Sequence, residues 1–179
     1  MSSSLSISNL GRAPHRLMFF VGGFNLRLAM AWWTSWLSAA RWDCFMMPQP
    51  EPYAGRLHAV LMQYQVLPSF FFGFLLTVFP RWIGEPDLDR RKAWPVGTGL
   101  LIGQILTLAG ALGWHAAIVP GAIATLIGWC IGLIPLVRLA VLDAWKTWHA
   151  VGCLAAMCAG AIGLAFWLED TGRYVDRGG

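Results

Sequence analysis

The sequence predicts an all-α fold, a polytopic transmembrane helix bundle, and three features support this class. The 179 residues have a mean hydropathy of +0.57, with 57% hydrophobic and only 12% charged residues. A soluble fold of this composition would lack the polar surface needed to cover its core. Several apolar stretches reach the roughly 20 residues that a membrane-spanning helix needs. They are continuous rather than alternating apolar and polar, which favours helices over a β-barrel.

Five spans are predicted within a single transmembrane domain that covers residues 1–179. The spans are residues 17–37, 59–79, 95–113, 116–136 and 150–168. A polar head, residues 1–16, precedes them, and a polar tail, residues 169–179, follows them. The basic residues before the first span resemble the start of a signal peptide. The length of that span and the tryptophans at its far end favour a retained helix.

The distribution of basic residues predicts the orientation of the chain. Most Lys and Arg outside the spans fall on the side that holds the amino terminus, for example in the connection from Arg81 to Lys92. Cytoplasmic loops carry the excess of Lys and Arg, so the amino terminus is expected in the cytoplasm and the carboxyl terminus outside.

Composition and motifs disfavour several function classes. The net charge of +4 is modest and follows from the basic loops, so nucleic-acid binding is not indicated. No paired carboxylates, nucleophile with a base, or phosphate loop is present, so an enzyme is not favoured. Gln104, inside the third span, is expected to form a hydrogen bond between helices. The expected partners are therefore the lipid bilayer and other membrane subunits.

One face of the second predicted helix is a candidate metal or cofactor site. His58, Met62, Gln65 and Ser69 follow spacings of four, three and four, which place them on one side of a helix. Imidazole and thioether groups suit haem iron or copper. His115 lies at the same predicted outer side and is a second candidate metal ligand. The alternative is that His58 is an interfacial residue and Met62 belongs to the packing.

Arg27 lies in the middle of the first predicted span, where a charge is costly unless it is paired or hydrated. Three alternatives remain open. Arg27 holds an anionic ligand such as a haem propionate, it pairs with helix carbonyls or a carboxylate of another subunit, or the helix is displaced so that Arg27 meets water.

A longer segment carries a family resemblance. The run from His58-Ala-Val-Leu-Met62 to Gly73-Phe-Leu-Leu-Thr-Val-Phe-Pro80-Arg-Trp-Ile-Gly84 is similar to the NnrS family, in which His-Ala-His-Glu-Met precedes Gly-Phe-Leu-Leu-Thr-Ala-Val-Pro-Asn-Trp-Thr-Gly. The opening Pro14-His-Arg-Leu-Met also resembles that family. His58 matches the first histidine of the motif. Val60 replaces the second histidine, and Leu61 replaces the glutamate.

The resemblance implies a multi-pass protein of the bacterial inner membrane, linked to the nitric oxide response and denitrification. It implies haem b and copper as possible cofactors, with His58 as the matched histidine. Together with the helix face and topology above, the candidate cofactor-binding residues are His58, Met62, Arg27 and Gln65, and the candidate metal ligands are His58 and His115. Family members have many more helices than this chain, which leaves open a short paralogue, an amino-terminal fragment or a subunit of a larger assembly.

Three functions therefore compete. The first is a haem or copper protein that binds its cofactor through His58. The second is a structural or accessory subunit that has lost the metal site and binds no cofactor, which the residues at positions 60 and 61 favour. The third, a transporter, has weaker support because five helices show no pair of repeats.

Overall fold

The computed structural model describes residues 14–42, 45–50 and 52–177, and every regular element in these ranges is helical. The α-helices are α1 (Pro14–Trp42), α2 (Ala54–Leu61), α3 (Leu67–Trp82), α4 (Ala93–Ala111), α5 (Ile118–Leu142) and α6 (Trp148–Arg177). A π-helix, Met62–Val66, joins α2 to α3 without a break, and single 3₁₀ turns, Arg90–Lys92 and His115–Ala117, precede α4 and α5.

The predicted helix bundle is confirmed, and its five long helices match the predicted spans in order. The composite of α2, the π-helix and α3 is one of four helices that are long and apolar enough to cross a membrane; the others are α4, α5 with its 3₁₀ turn, and α6. The fifth helix, α1, is long enough but less apolar. Asn25, Arg27 and a run of tryptophans lower its hydropathy.

The observed helices differ from the predicted spans mainly at their ends. α1, the composite helix and α6 extend beyond 17–37, 59–79 and 150–168, because polar and aromatic residues continue a helix past its apolar core. α4 stops at Ala111 rather than at 113, where Gly113 takes a positive φ of 118°. α5 starts at Ile118 and continues to Leu142, beyond the predicted 116–136. α6 also includes polar residues assigned to the tail.

Glycines bring α4 and α5 into close contact. A Cβ on Gly99 would lie only 2.7 Å from the Cα atom of Gly128 and 3.0 Å from the carbonyl oxygen of Ala124. Gly103 faces Thr125 in the same way. In lipid there is no hydrophobic driving force for helix association, so close packing must stabilise the contact. Small residues let the two backbones approach and gain dispersion energy. α1 packs against α3 and α4, and α6 packs against α5.

A tight turn connects α5 to α6. Ala144 and Trp145 adopt positive φ angles of 51° and 61°, which few residues other than glycine tolerate. The Asp143 carboxylate accepts a hydrogen bond of 2.7 Å from the backbone N–H of Thr147, immediately before α6. This bond holds the pKa of Asp143 below its ordinary value of 3.8. The carboxylate therefore stabilises the turn in its ionised form.

We expect Gly99→Ala to destabilise the bundle by about 1–3 kcal/mol, because the new methyl group would meet backbone atoms that cannot rotate away. The measurement is thermal unfolding in detergent. Gly152→Ala is the matched control: no atom lies within 4 Å of a Cβ at that position. Alanine also favours a helix over glycine, so the control should be unchanged or slightly more stable. Equal melting temperatures for Gly99→Ala and the wild type would contradict the close packing.

Asp143→Asn should lower the melting temperature at pH 7. The folded-state pKa of Asp143 is depressed, so its contribution is present above the unfolded value and disappears as the pH falls through the folded value. The difference between wild type and variant should therefore shrink below about pH 4. Glu85→Gln, in an exposed loop, serves as the control. A difference that stays constant from pH 7 to pH 3 would show that the ionised carboxylate does not stabilise the turn.

Candidate functional site

The π-helix lies inside the second long helix and presents backbone carbonyls to neighbouring groups. The indole Nε1 of Trp129, on α5, donates to the carbonyl oxygen of Tyr64 at 3.0 Å. The carbonyl oxygen of Gln65 accepts from Ser69 Oγ at 2.9 Å and from Asn25 Nδ2 at 3.4 Å. A π-helix loosens the regular hydrogen-bond ladder, and such segments occur often at functional sites.

A cluster of amide and hydroxyl side chains fills the centre of the bundle, and we call it the amide cluster. Its members, Asn25, Gln65, Gln104, Thr107 and Thr125, are all buried, with at most 2% of each exposed. Gln65 Nε2 donates to the hydroxyls of Thr107 at 2.9 Å and Thr125 at 3.0 Å. Gln104 Nε2 donates to the carbonyl oxygen of Asn25 at 3.0 Å, which confirms Gln104 as an interhelical contact.

The amide cluster contains more acceptors than donors. Asn25 Oδ1, Gln65 Oε1 and Gln104 Oε1 are buried and accept no hydrogen bond from the described residues. The hydroxyls of Thr107 and Thr125 donate to carbonyls of their own helices, so they are not available to these oxygens. Gln65, predicted to orient a bound ligand, is therefore first of all a link between helices.

His58 lies on α2 against an aromatic wall formed by α1. Its ring stacks on Trp33 with a centroid distance of 4.5 Å and an interplanar angle of 10°. Trp33 stacks in turn on Trp36 at 5.4 Å, and Trp36 meets Tyr53 edge to face. His58 Nδ1 is buried and has no hydrogen-bond partner among the described groups. Stacking restricts rotation of the imidazole, and Nδ1 makes no hydrogen bond with the described groups.

Gln65 does not follow His58 as a regular helix face would place it, whereas Met62, whose backbone N–H donates to the carbonyl oxygen of His58, is one α-helical turn beyond it. The predicted alignment assumed 3.6 residues per turn, whereas the π-helix begins at Met62 and changes that period. Met62 is half-buried and packs against the core. Gln65 belongs to the amide cluster and bonds to Thr107 and Thr125. No composition or spacing signal in the sequence indicated this change of register.

His115, the other candidate metal ligand, lies in the 3₁₀ turn before α5. It is half-buried, and its Nδ1 atom also lacks a partner among the described groups. Within residues 14–42, 45–50 and 52–177, no group of three or more His, Cys, Asp or Glu side chains is close enough to hold a metal ion. The described residues therefore do not form a site of several such ligands around His58 or His115.

Arg27 lies on the exposed face of α1. It follows the buried Asn25 by two residues, which corresponds to about 200° around an α-helix. Asn25 faces the composite helix and Gln65, so Arg27 points away from both. The structure thus separates Arg27 from His58, Met62 and Gln65, and the four predicted cofactor-binding residues do not form one cluster.

The two positions where this chain departs from the motif belong to the core. Val60 is 7% exposed and Leu61 is fully buried. Apolar packing occupies the places where the motif has histidine and glutamate. This observation bears on function, because it removes two polar groups from the helix that carries His58.

A separate apolar groove runs between α3, α5 and α6. It has a volume of about 420 Å³ and is lined by residues that include Tyr64, Phe71, Trp129, Met157 and Gly160. His58 and Met62 do not line it. Its lining is almost entirely apolar, as expected for a surface that contacts lipid chains.

These features define a multi-pass α-helical membrane protein with a polar centre and a stacked histidine on its second spanning helix. A family model described as NnrS protein matches residues 9–176, nearly the whole chain. The chain belongs to the NnrS family. No curated protein and no solved structure matches it significantly.

Substitutions at Gln65 test the amide cluster. Gln65→Leu should cost about 1 kcal/mol, because interhelical hydrogen bonds in membranes average about 0.6 kcal/mol each and both threonine hydroxyls keep their own acceptors. Gln65→Glu should cost several kcal/mol more, because it places a carboxylate among acceptor oxygens. Thermal unfolding in detergent at pH 8 measures both. Gln49→Glu, at an exposed position in the connection between α1 and α2, is the control. Equal losses for the leucine and glutamate variants would contradict the acceptor-rich surroundings.

Proposed function

We propose that this protein is a haem-binding protein of the bacterial inner membrane, with a role in the response to nitric oxide. The observation that carries the proposal is His58, whose ring is fixed against Trp33 and whose buried Nδ1 has no partner among the described groups. Membership of the NnrS family supports the same class of function.

His58 is the residue that would hold the iron of haem b. The haem, when bound, would supply the ability to bind a small gas such as nitric oxide. Stacking on Trp33 restricts rotation of the His58 ring, so little conformational entropy of this side chain is lost when it binds a metal. Met62 follows one helical turn later and offers a soft thioether.

Copper is the less favoured of the two cofactors. Copper sites in proteins use several nitrogen and sulfur ligands, whereas the described residues provide no group of three or more His, Cys, Asp or Glu. A copper site would have to combine His58 or His115 with Met62 or with groups from another subunit. The proposal therefore centres on haem b.

The second candidate function is an accessory subunit of a larger membrane complex. Val60 and Leu61 favour it, because both are packed in the core where the family motif places polar groups. In this alternative the chain has kept the helical scaffold and lost the metal chemistry. It would act by presenting helix faces to partner subunits and would bind no cofactor.

The haem proposal is tested by absorption spectroscopy of the detergent-purified protein. We expect a Soret band in protein produced with haem b, and we expect His58→Ala to remove most of it. His149→Ala is the matched control, because His149 contacts Trp82 at the opposite end of the composite helix. A Soret band of equal strength in the His58→Ala variant would contradict His58 as the ligand. Colourless wild-type protein would contradict haem binding and favour the accessory subunit.

A further inference from the structure

Arg27 combines exposure with a position near the middle of the bundle. Asn25 Nδ2 lies 3.4 Å from the carbonyl oxygen of Leu100, a residue in the central part of α4 (Ala93–Ala111). Arg27 is two residues further along α1, or about 3 Å along the helix axis. Its side chain is exposed on the outer face. In a bilayer this face would place a guanidinium group in the hydrocarbon region.

Such an arrangement is costly for an isolated chain. Insertion scales give about 2.5–3.5 kcal/mol for arginine at the centre of a spanning helix. Arg27 is about 20 Å from the start of α1 and about 22 Å from its end, so its side chain does not reach an interface easily. The ion pairs among the described residues do not include Arg27. A compensating anion must therefore come from outside the described part of the chain.

A second copy of the chain offers no suitable anion among its described residues. Asp170 pairs with Arg56 at the beginning of α2, and Glu169 pairs with Arg173 near the end of α6. The other carboxylates whose side chains the structure describes lie in the connections between helices. None of these groups is at the depth of Arg27. A carboxylate at this depth would therefore come from outside the described residues, and a partner of different sequence is the source we consider.

The surface around Arg27 allows another helix to approach. Gly23 and Ala31 lie four residues before and after it, so the three residues form one row along α1. A Cβ added at Gly23 would meet no atom within 4 Å. Small residues beside a polar group are the usual composition of close contacts between membrane helices. We call the row Gly23, Arg27 and Ala31, together with Thr34, the outer face of α1.

We propose that the outer face of α1 docks a transmembrane helix of a partner protein that carries a carboxylate near the bilayer centre, paired with Arg27. The inference rests on the accessory-subunit candidate and specifies that its partner carries a carboxylate within the membrane. It does not depend on haem, because the outer face of α1 points away from His58. Charge complementarity selects this occupant over an uncharged helix, and the small residues select a helix over a globular domain.

The experiment uses the full chain, with a fluorescent donor fused at its amino terminus, in phosphatidylcholine vesicles at pH 8. The probe is an acceptor-labelled synthetic Leu/Ala helix of membrane-spanning length with one central Glu, and the reference is the same peptide with Gln. We expect energy transfer to show about tenfold tighter association with the Glu peptide, equivalent to about 1.4 kcal/mol. Arg27→Leu should abolish this preference, and Arg27→Lys should keep most of it.

Arg56→Leu is the matched control, because Arg56 is an exposed arginine at the end of the bundle with its own partner. Its preference for the Glu peptide should equal that of the wild type. Four outcomes would overturn the proposal. They are equal binding of the two peptides, an unchanged preference in Arg27→Leu, loss of the preference when phosphatidylglycerol is added, and self-association that requires Arg27. The Soret measurement on His58 is unaffected by any of these results, so the two proposals can fail separately.

Discussion

Hydrogen bonding at the centre of the bundle is the constraint on which the rest of this structure depends. In lipid every backbone polar group needs a partner within the protein. The π-helix at Met62–Val66 disturbs the ladder of the second long helix, and side chains from α1 and α5 bond to its carbonyls. Asn25 bonds this helix to α1, and Gln65 bonds it to α4 and α5. Gln104 bonds α4 to α1. The bundle is held by polar contacts as well as by small-residue packing.

The bond from Asn25 also sets the rotation of α1 about its axis. With Asn25 directed at the carbonyl oxygens of Gln65 and Leu100, Trp33 is turned towards α2, where it stacks on His58. The same rotation turns Arg27 outwards. The orientation of Asn25 therefore goes together with two features: Trp33 stacks on the His58 imidazole on the inner side, and Arg27 lies on the outer side. Rotating α1 by half a turn would direct Arg27 inwards, move Trp33 away from His58 and leave Asn25 without its acceptors.

The sequence predicted the helical class, the order of the five long helices and the interhelical role of Gln104, because apolar length and isolated polar residues leave strong local signals. It did not predict the π-helix. One widened turn changes neither composition nor hydropathy, so the alignment of His58, Met62 and Gln65 was drawn on a regular helix. Asn25 was equally hard to recognise, because its importance arises from carbonyls 40 and 75 positions away in the chain. Helix ends were inexact since helices continue past their apolar cores.

Haem binding at His58 and docking of a partner helix at Arg27 are compatible, because they use different sides of α1. His58 lies near the start of the composite helix and stacks on Trp33, whereas Arg27 faces outwards. A helix docked on Arg27 would cover the outer face without contacting the histidine. The burial of Val60 and Leu61 shows that this chain alone lacks the polar groups of the family motif near His58. A metal that needs ligands beyond His58 would take them from outside the described residues, and a docked subunit is one source of such ligands.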